Sequence, residues 1–191
     1  MNNITYVGAE VPSLYTALSV GGDFASNEAV YGNTNPFIFK HNEIVEIVIN
    51  NLNTNLHPFH LHGHQFQVLQ RTNPKTGTWP GNYNNVSATP LKRDTIMLQD
   101  EAYAVIRFRA DNPGIWAFHC HVEFHTVSGF SATFIEAPEV FTKNGYLKVP
   151  QGHIDVCKAY PQLYQGNAAG NIQDPLDLTG EPVSVFSENM K

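Results

Sequence analysis

The sequence predicts an all-β protein, a sandwich or barrel of antiparallel strands. Three observations lead there. Short runs rich in branched and aromatic residues recur between clusters of turn formers. VIRFRA, within residues 102–110, alternates apolar and polar side chains, the period of a strand with one wet face. And no amphipathic helical pattern of ordinary length occurs; a turn or two at VEFHTV (122–127) is the most that the spacing supports. The chain of 191 residues suits one domain with an appendage, and its 42% apolar content, with 12 Phe and 8 Tyr, can fill a sizeable core.

In order, strands are expected at FIFKH (37–41), EIVEIVINN (43–51), HQFQVLQRT (64–72), DTIMLQ (94–99), AYAVIRFRA (102–110), IWAFHCH (115–121) and SATFIEA (131–137). The breaks fall at NPKTGTWPGNYNNVSATP (73–90), DNPG (111–114) and APE (137–139), all turn chemistry. Residues before 36 read as loop. Residues 141–191 read as an extended, mostly irregular C-terminal tail over the surface of a domain at 1–140, disordered near its end, because QGNAAGNIQDPLDLTGEPVSVFSENMK is polar and turn-rich. No internal repeat is evident.

Composition excludes some partners. A formal charge of -6, with 11 scattered Lys and Arg, offers no surface to neutralise phosphates, so nucleic acid is not expected. No run approaches the roughly eighteen apolar residues of a membrane helix, and the N-terminus has no signal-peptide pattern. Sequons at Asn3 and Asn85 favour a secretory route, with a glycan fitting the polar loop around Asn85.

Histidine is concentrated. Seven of nine lie in HPFHLHGH (57–64) and HCHVEFH (119–125), and the second stretch also holds one of two cysteines. Alternation along an extended chain sorts them. His60 and His62 share a face, as do His119 and His121, while Cys120 points to the other side, where His57 and His125 can join it. A thiolate with two imidazoles is the ligand set of a blue-copper electron-transfer centre, and imidazoles alone suit other copper sites. Cys120 is bonded through the main chain to His119 and His121, so one site is wired to the other. Zinc is the rival metal, but it needs four ligands at one place and these candidates are split between two faces. His41, His64 and His153 read as structural or solvated.

The two motifs resemble those of the C-terminal cupredoxin domain of multicopper oxidases, and FRADNPGIWAFHCH resembles the family's approach to its second motif. Within that family, NNITYV, VPSLYTALSV, EIVEIVINN, KRDT, GNAAGN and DLTGE are most similar to the fungal ferroxidases of iron uptake, with laccases next. The resemblance implies a Greek-key cupredoxin sandwich with the copper motifs near one end of its strands. It implies that His57, Cys120 and His125 hold a type 1 copper, with Phe130 at the non-ligating axial position. His60 is then a type 2 copper ligand, and His62, His119 and His121 bind the type 3 pair. Glu123 is a candidate proton relay for O₂ reduction.

Two departures accompany the resemblance. The trinuclear cluster needs further histidines from N-terminal cupredoxin domains, and their HxH motifs are absent. The chain is therefore expected to be a fragment, or one chain of a larger molecule, with the type 1 site complete and the type 2 and type 3 sites half supplied. Asn53 stands where the ferroxidases carry an acidic iron contact, four residues before His57; it is a candidate iron contact through its carbonyl oxygen, but the missing charge weakens the expectation of Fe(II) as substrate. A laccase acting on phenols and a single-domain electron carrier are the alternatives. Other implied partners are O₂, Fe(II) or another small reductant, and an iron permease. The implied location is the secretory pathway, cell surface or exterior, with no membrane anchor in this chain. Cys157 is either a free buried thiol or the partner of a cysteine in the missing domains.

Overall fold

A computed structural model describes residues 1–83, 86–143 and 146–184. The Asn85 sequon and the expected disorder of the last residues fall outside these. The strands form two sheets, a cupredoxin-type β-sandwich. The first has five strands, in the order β1 (Pro36–Phe39), β9 (Ser131–Glu136), β8 (Gly114–Cys120), β3 (His57–Leu61) and β6 (Thr95–Leu98). The second has four: β2 (Ile44–Asn50), β7 (Tyr103–Arg109), β4 (Phe66–Arg71) and β5 (Leu91–Arg93). Every expected strand is present. Two more, β3 and β5, join them.

Alternation builds the core. Val45, Ile47 and Ile49 of β2 turn inward, as do Phe59 and Leu61 of β3, Phe118 of β8 and Phe134 of β9. Phe134 is the aromatic hub: it stacks on Phe118 at 5.2 Å between centroids and meets Phe39 edge-on at 5.0 Å. Truncating such a ring typically costs about 3–5 kcal/mol. The expected wet face of β7 is only partly wet. Val105 is buried on a second small cluster with Leu69 and Tyr103, while Arg107 reaches Glu46 across the strands at 2.8 Å.

The segment before residue 36 is not all loop. Helix α1 (Ser13–Val20) runs from Pro12 to Gly21, whose φ of 70° ends it, and two 3-10 turns follow. Eight residues carry too weak a periodicity to be read from sequence, and such a helix is held by packing rather than propensity. Ala17 packs with Val30, Tyr31, Ile135 and Phe141, and the Tyr31 hydroxyl donates to Ala25 O at 2.6 Å. Burial raises the pKa of that phenol.

Three helices follow β8: α2 (Glu123–Val127), α3 (Pro138–Phe141) and α4 (Gln151–Ala159). The short α2 lies where a turn or two was expected. The helix α4 interrupts the expected irregular tail; Cys157 is its sole buried residue, so it presents almost no apolar stripe. Beyond it the tail is tied down by main-chain bonds, Ala168 N–H to Val30 O at 2.8 Å and Glu10 N–H to Ala168 O at 2.9 Å. Cys120 and Cys157 are both buried free thiols. Among the described residues no helix is long and apolar enough to cross a membrane.

Candidate metal centre

His57 opens β3 and Cys120 closes β8. The two strands are antiparallel, with Phe59 opposite Cys120 and His60 opposite His119, so both motifs meet at one end of the sandwich. The register then sorts side chains by parity. His57 and Cys120 fall on the inner face with Phe59 and Leu61, and His60 and His119 on the outer one.

After Cys120 the chain turns through α2 and brings His125 back. Three contacts hold this return: Phe130 N–H donates to His125 O at 2.9 Å, Cys120 N–H donates to Phe130 O at 3.1 Å, and the Thr126 hydroxyl donates to Cys120 O. The result places Nδ1 of His57 and of His125 at 3.7 and 3.5 Å from Cys120 Sγ. Among the described residues this is the one group of three or more candidate metal ligands that converges, its atoms all within 4.8 Å of one another. Metal bonds of about 2.0 Å to nitrogen and 2.3 Å to sulfur at a trigonal centre would separate those atoms by about 3.7 Å, so the set fits a bound ion. Phe130 closes the remaining side, its ring 5.2 Å from that of His57 and 6.2 Å from that of His125.

The protonation states follow from the neighbours. Asn53 Oδ1 accepts Asn55 N–H at 2.9 Å, which identifies it as the oxygen, and it lies 3.0 Å from His57 Nε2. His57 therefore carries its proton on Nε2 and presents a bare Nδ1 to the sulfur. Burial pushes the pKa of His57 down, and neighbouring His125 adds to this. Burial pushes the Cys120 thiol up, partly offset by a hydrogen bond from Val122 N–H. The bare Nδ1 of His57 beside a neutral thiol makes a site from which a cation must displace a proton.

Asn53 is exposed, and its carbonyl oxygen is taken by two N–H donors. Through these contacts the residue orients His57. Glu123 stands exposed in the first turn of α2, between the two sets of histidines.

His60, His62, His119 and His121 share the outer face. Their rings are neighbours, with centroids 4.8 Å apart for His60 and His62, 5.2 Å for His62 and His119, and 5.6 Å for His119 and His121. His60 neighbours all three of the others, its ring 5.7 Å from that of His119 and 5.9 Å from that of His121, so the four pack as a cluster. Two are aimed from behind: His60 Nδ1 meets Asp94 O and the Thr95 hydroxyl, each at 3.0 Å, and His119 Nδ1 meets Cys120 O at 3.0 Å. His119 Nε2 in turn lies 3.0 Å from His62 Nε2. Burial first, then the other three imidazoles, lower the pKa of His62, so that residue resists protonation.

The sequence reading missed what supports these ligands. His64 Nε2 lies 2.5 Å from a carboxylate oxygen of buried Glu136, whose other oxygen accepts Asn112 N–H. Asn112 Nδ2 in turn donates to Gly63 O at 2.9 Å, and Trp116 packs where a Gly63 side chain would go. An acidic residue ending a strand as apolar as SATFIE was the available signal. His41 and His153 are exposed and take no part.

The sequence profile described as multicopper oxidase matches residues 6–140. The chain belongs to the multicopper oxidase family. It is 49% identical over 184 residues to the iron transport multicopper oxidase fetC of Epichloe festucae, a match covering 94% of this chain and 29% of that protein. The crystal structure of Fet3p, a multicopper oxidase that functions in iron import, superposes with a TM-score of 0.87 at 42% identity, over 95% of this chain and 36% of that one. A laccase from Botrytis aclada superposes less well, with a TM-score of 0.57 and 27% identity over 76% of this chain and 28% of that one. The chain thus spans about three tenths of the curated relatives it matches. Membership makes copper the metal rather than zinc, and the His57–Cys120–His125 set is consistent with a type 1 centre.

Proposed function

We propose that the chain is the C-terminal domain of an iron-oxidising multicopper oxidase, holding all of a type 1 site and half the ligands of a trinuclear site. The observation that carries this reading is the parity of β8. One strand places Cys120 inside, beside His57 and His125, and His119 outside, beside His60 and His62. Copper bound in the two places supplies one-electron oxidation of the substrate and reduction of O₂ to water.

The chain's own residues set the terms of that chemistry. Cys120 and its flanking histidines form the shortest covalent route between the inner and outer faces. His57 reaches solvent through its Nε2–H bond to exposed Asn53, so an electron donor docks near that amide. Phe130, packed on His57 and His125, carries no donor atom, so copper bound by this set would have no sulfur ligand from that side, which would raise its reduction potential. Exposed Glu123, next to the outer histidines in sequence, delivers protons for water formation. The remaining trinuclear ligands come from other cupredoxin domains of the same enzyme, which acts at the cell surface or outside the cell and hands iron to a permease.

A second reading, a phenol-oxidising laccase, is favoured by Asn53, which lacks the charge that attracts Fe(II). Steady-state kinetics on the full-length enzyme separate the two. The iron reading expects kcat/KM for Fe(II) to exceed that for a bulky phenol by about tenfold or more, equivalent to about 1.4 kcal/mol. A clear preference for the phenol overturns it.

A further inference from the structure

Glu136 ends β9, and its parity places it on the inner face of the first sheet with Ala132 and Phe134. Its side chain is 1% exposed, and that of its partner His64 is 5% exposed. Burying such a pair costs desolvation, and well-packed apolar side chains of similar volume often serve stability as well or better. Packing alone therefore does not account for it. What the carboxylate does that an apolar group cannot is hold two chain segments at once. One oxygen lies 2.5 Å from His64 Nε2, in the turn after β3. The other accepts Asn112 N–H at 2.5 Å, in the turn before β8.

Gly63 stands between those segments. Its carbonyl accepts Asn112 Nδ2–H at 2.9 Å, and the Trp116 indole fills the space a side chain would need while donating its own N–H to Asn112 O at 2.8 Å. On the other side His64 is held by Glu136 and packs on Phe108, their ring centroids 4.8 Å apart. The main chain leaving His62 is thus fixed from two directions. His62 is the ligand that needs this. His60 and His119 are each aimed by a bond to their own Nδ1. The Nδ1 of His62 has no such partner among the described residues, and its Nε2 meets His119 Nε2 at 3.0 Å. The direction of its ring depends on the main chain that bears it.

We propose that Glu136, acting through His64 and Asn112, is a positioning residue for His62. It ties the turn after β3 to the turn before β8 and so fixes the distance of His62 from His119. The inner site has three ligands from this chain to gather round one ion. The outer set is supplied only in part, so its members have to stand at the right separation before ligands from elsewhere meet them. A loosened His62 weakens the outer set and leaves the inner one as it is, because the bonds of Glu136 involve neither His57, Cys120 nor His125. This rests on the reading of the outer histidines as half of a trinuclear site.

Metal analysis, visible absorption and O₂ consumption of the full-length enzyme test it, with Glu136→Leu, Glu136→Gln and Asn112→Ala compared. Glu136→Leu should lower copper affinity at the outer histidines by about 10–100-fold and slow O₂ consumption to match, with the blue band unchanged. Glu136→Gln should restore most of both, since an amide oxygen can accept from Asn112 N–H and an amide N–H can donate to His64 Nε2. Asn112→Ala removes only a surface bond from its side chain to Gly63. It should give the same selective loss at the smaller end of that range, and it decides the matter if denaturant unfolding shows that Glu136→Leu has no stable fold. Outer copper retained in full in Glu136→Leu, or lost together with the blue copper, overturns the proposal. So does a Gln variant as impaired as the Leu one, or an Asn112→Ala enzyme without a selective loss. Blue copper alone in the unsubstituted enzyme overturns the trinuclear reading and the proposal with it, and this result is distinct from a failure of the variants.

Discussion

The inner and outer histidine sets sit on opposite faces of the same two strands and differ in completeness. On the inner face, three ligand atoms from β3, β8 and α2 converge beside the core, closed by Phe130. On the outer face, His62 and His121 are exposed, and imidazoles pair with each other, His62 Nε2 lying 3.0 Å from His119 Nε2. A site supplied wholly by one chain is ready for its ion. The outer imidazoles instead cluster against one another, His60 next to each of the other three. The contrast teaches that β-strand parity can separate two metal sites by one residue, while the completeness of each depends on what faces it.

The sharpest way to break the contrast is Cys120→Ser. The blue band should vanish and inner-site copper affinity should fall by more than about 100-fold, beyond the usual cost of losing a supporting hydrogen bond, while the outer histidines keep their places. Absorption and copper titration check this. Next is Gly63→Ala, which strikes the outer set. Gly63 has a φ of 74° and lies against Trp116, so a methyl group is both strained and crowded. A loss of about 2–4 kcal/mol in denaturant unfolding is expected.

Asn53→Leu is smaller and specific to the inner set. It removes the acceptor that fixes His57 and should weaken copper binding by about 10–100-fold with little change in fold. Asn53→Asp should keep the hydrogen bond and raise kcat/KM for Fe(II) in the full-length enzyme by restoring a charge.

The smallest effect is the pH dependence of the metal-free chain. The pKa of His57 is lowered on folding, so its contribution is complete above the ordinary imidazole value and is lost as pH falls through the lower one. Those of Cys120 and Tyr31 are raised, so theirs are complete below the ordinary thiol and phenol values and fade as pH rises beyond them. Stability should therefore be flat between about pH 6.5 and 8.5 and fall on both sides. Urea midpoints across pH measure this, and a maximum outside that window would contradict it.

Much of this was legible in the sequence because parity needs only that HLH and HCH be extended. The strand β3 itself was harder to see. Pro58 argues against a strand, yet here it lies beyond the last pair with β8 and its carbonyl still accepts His121 N–H. The helices α1 and α4 escaped because one is eight residues long and the other buries a single side chain. The bond between Asn53 and His57, and the His64–Glu136 pair behind the turn, depend on contacts that spacing does not encode.

The difference between the two faces is tested most directly by copper titration of the 191-residue chain, with visible absorption, electron paramagnetic resonance and O₂ uptake read together. One tightly bound copper per chain, with a thiolate-to-copper blue band, weak further binding and no O₂ uptake on adding Fe(II), is expected of one complete site beside half of another. Several tightly bound coppers with O₂ uptake, or a colourless loaded protein, would contradict it.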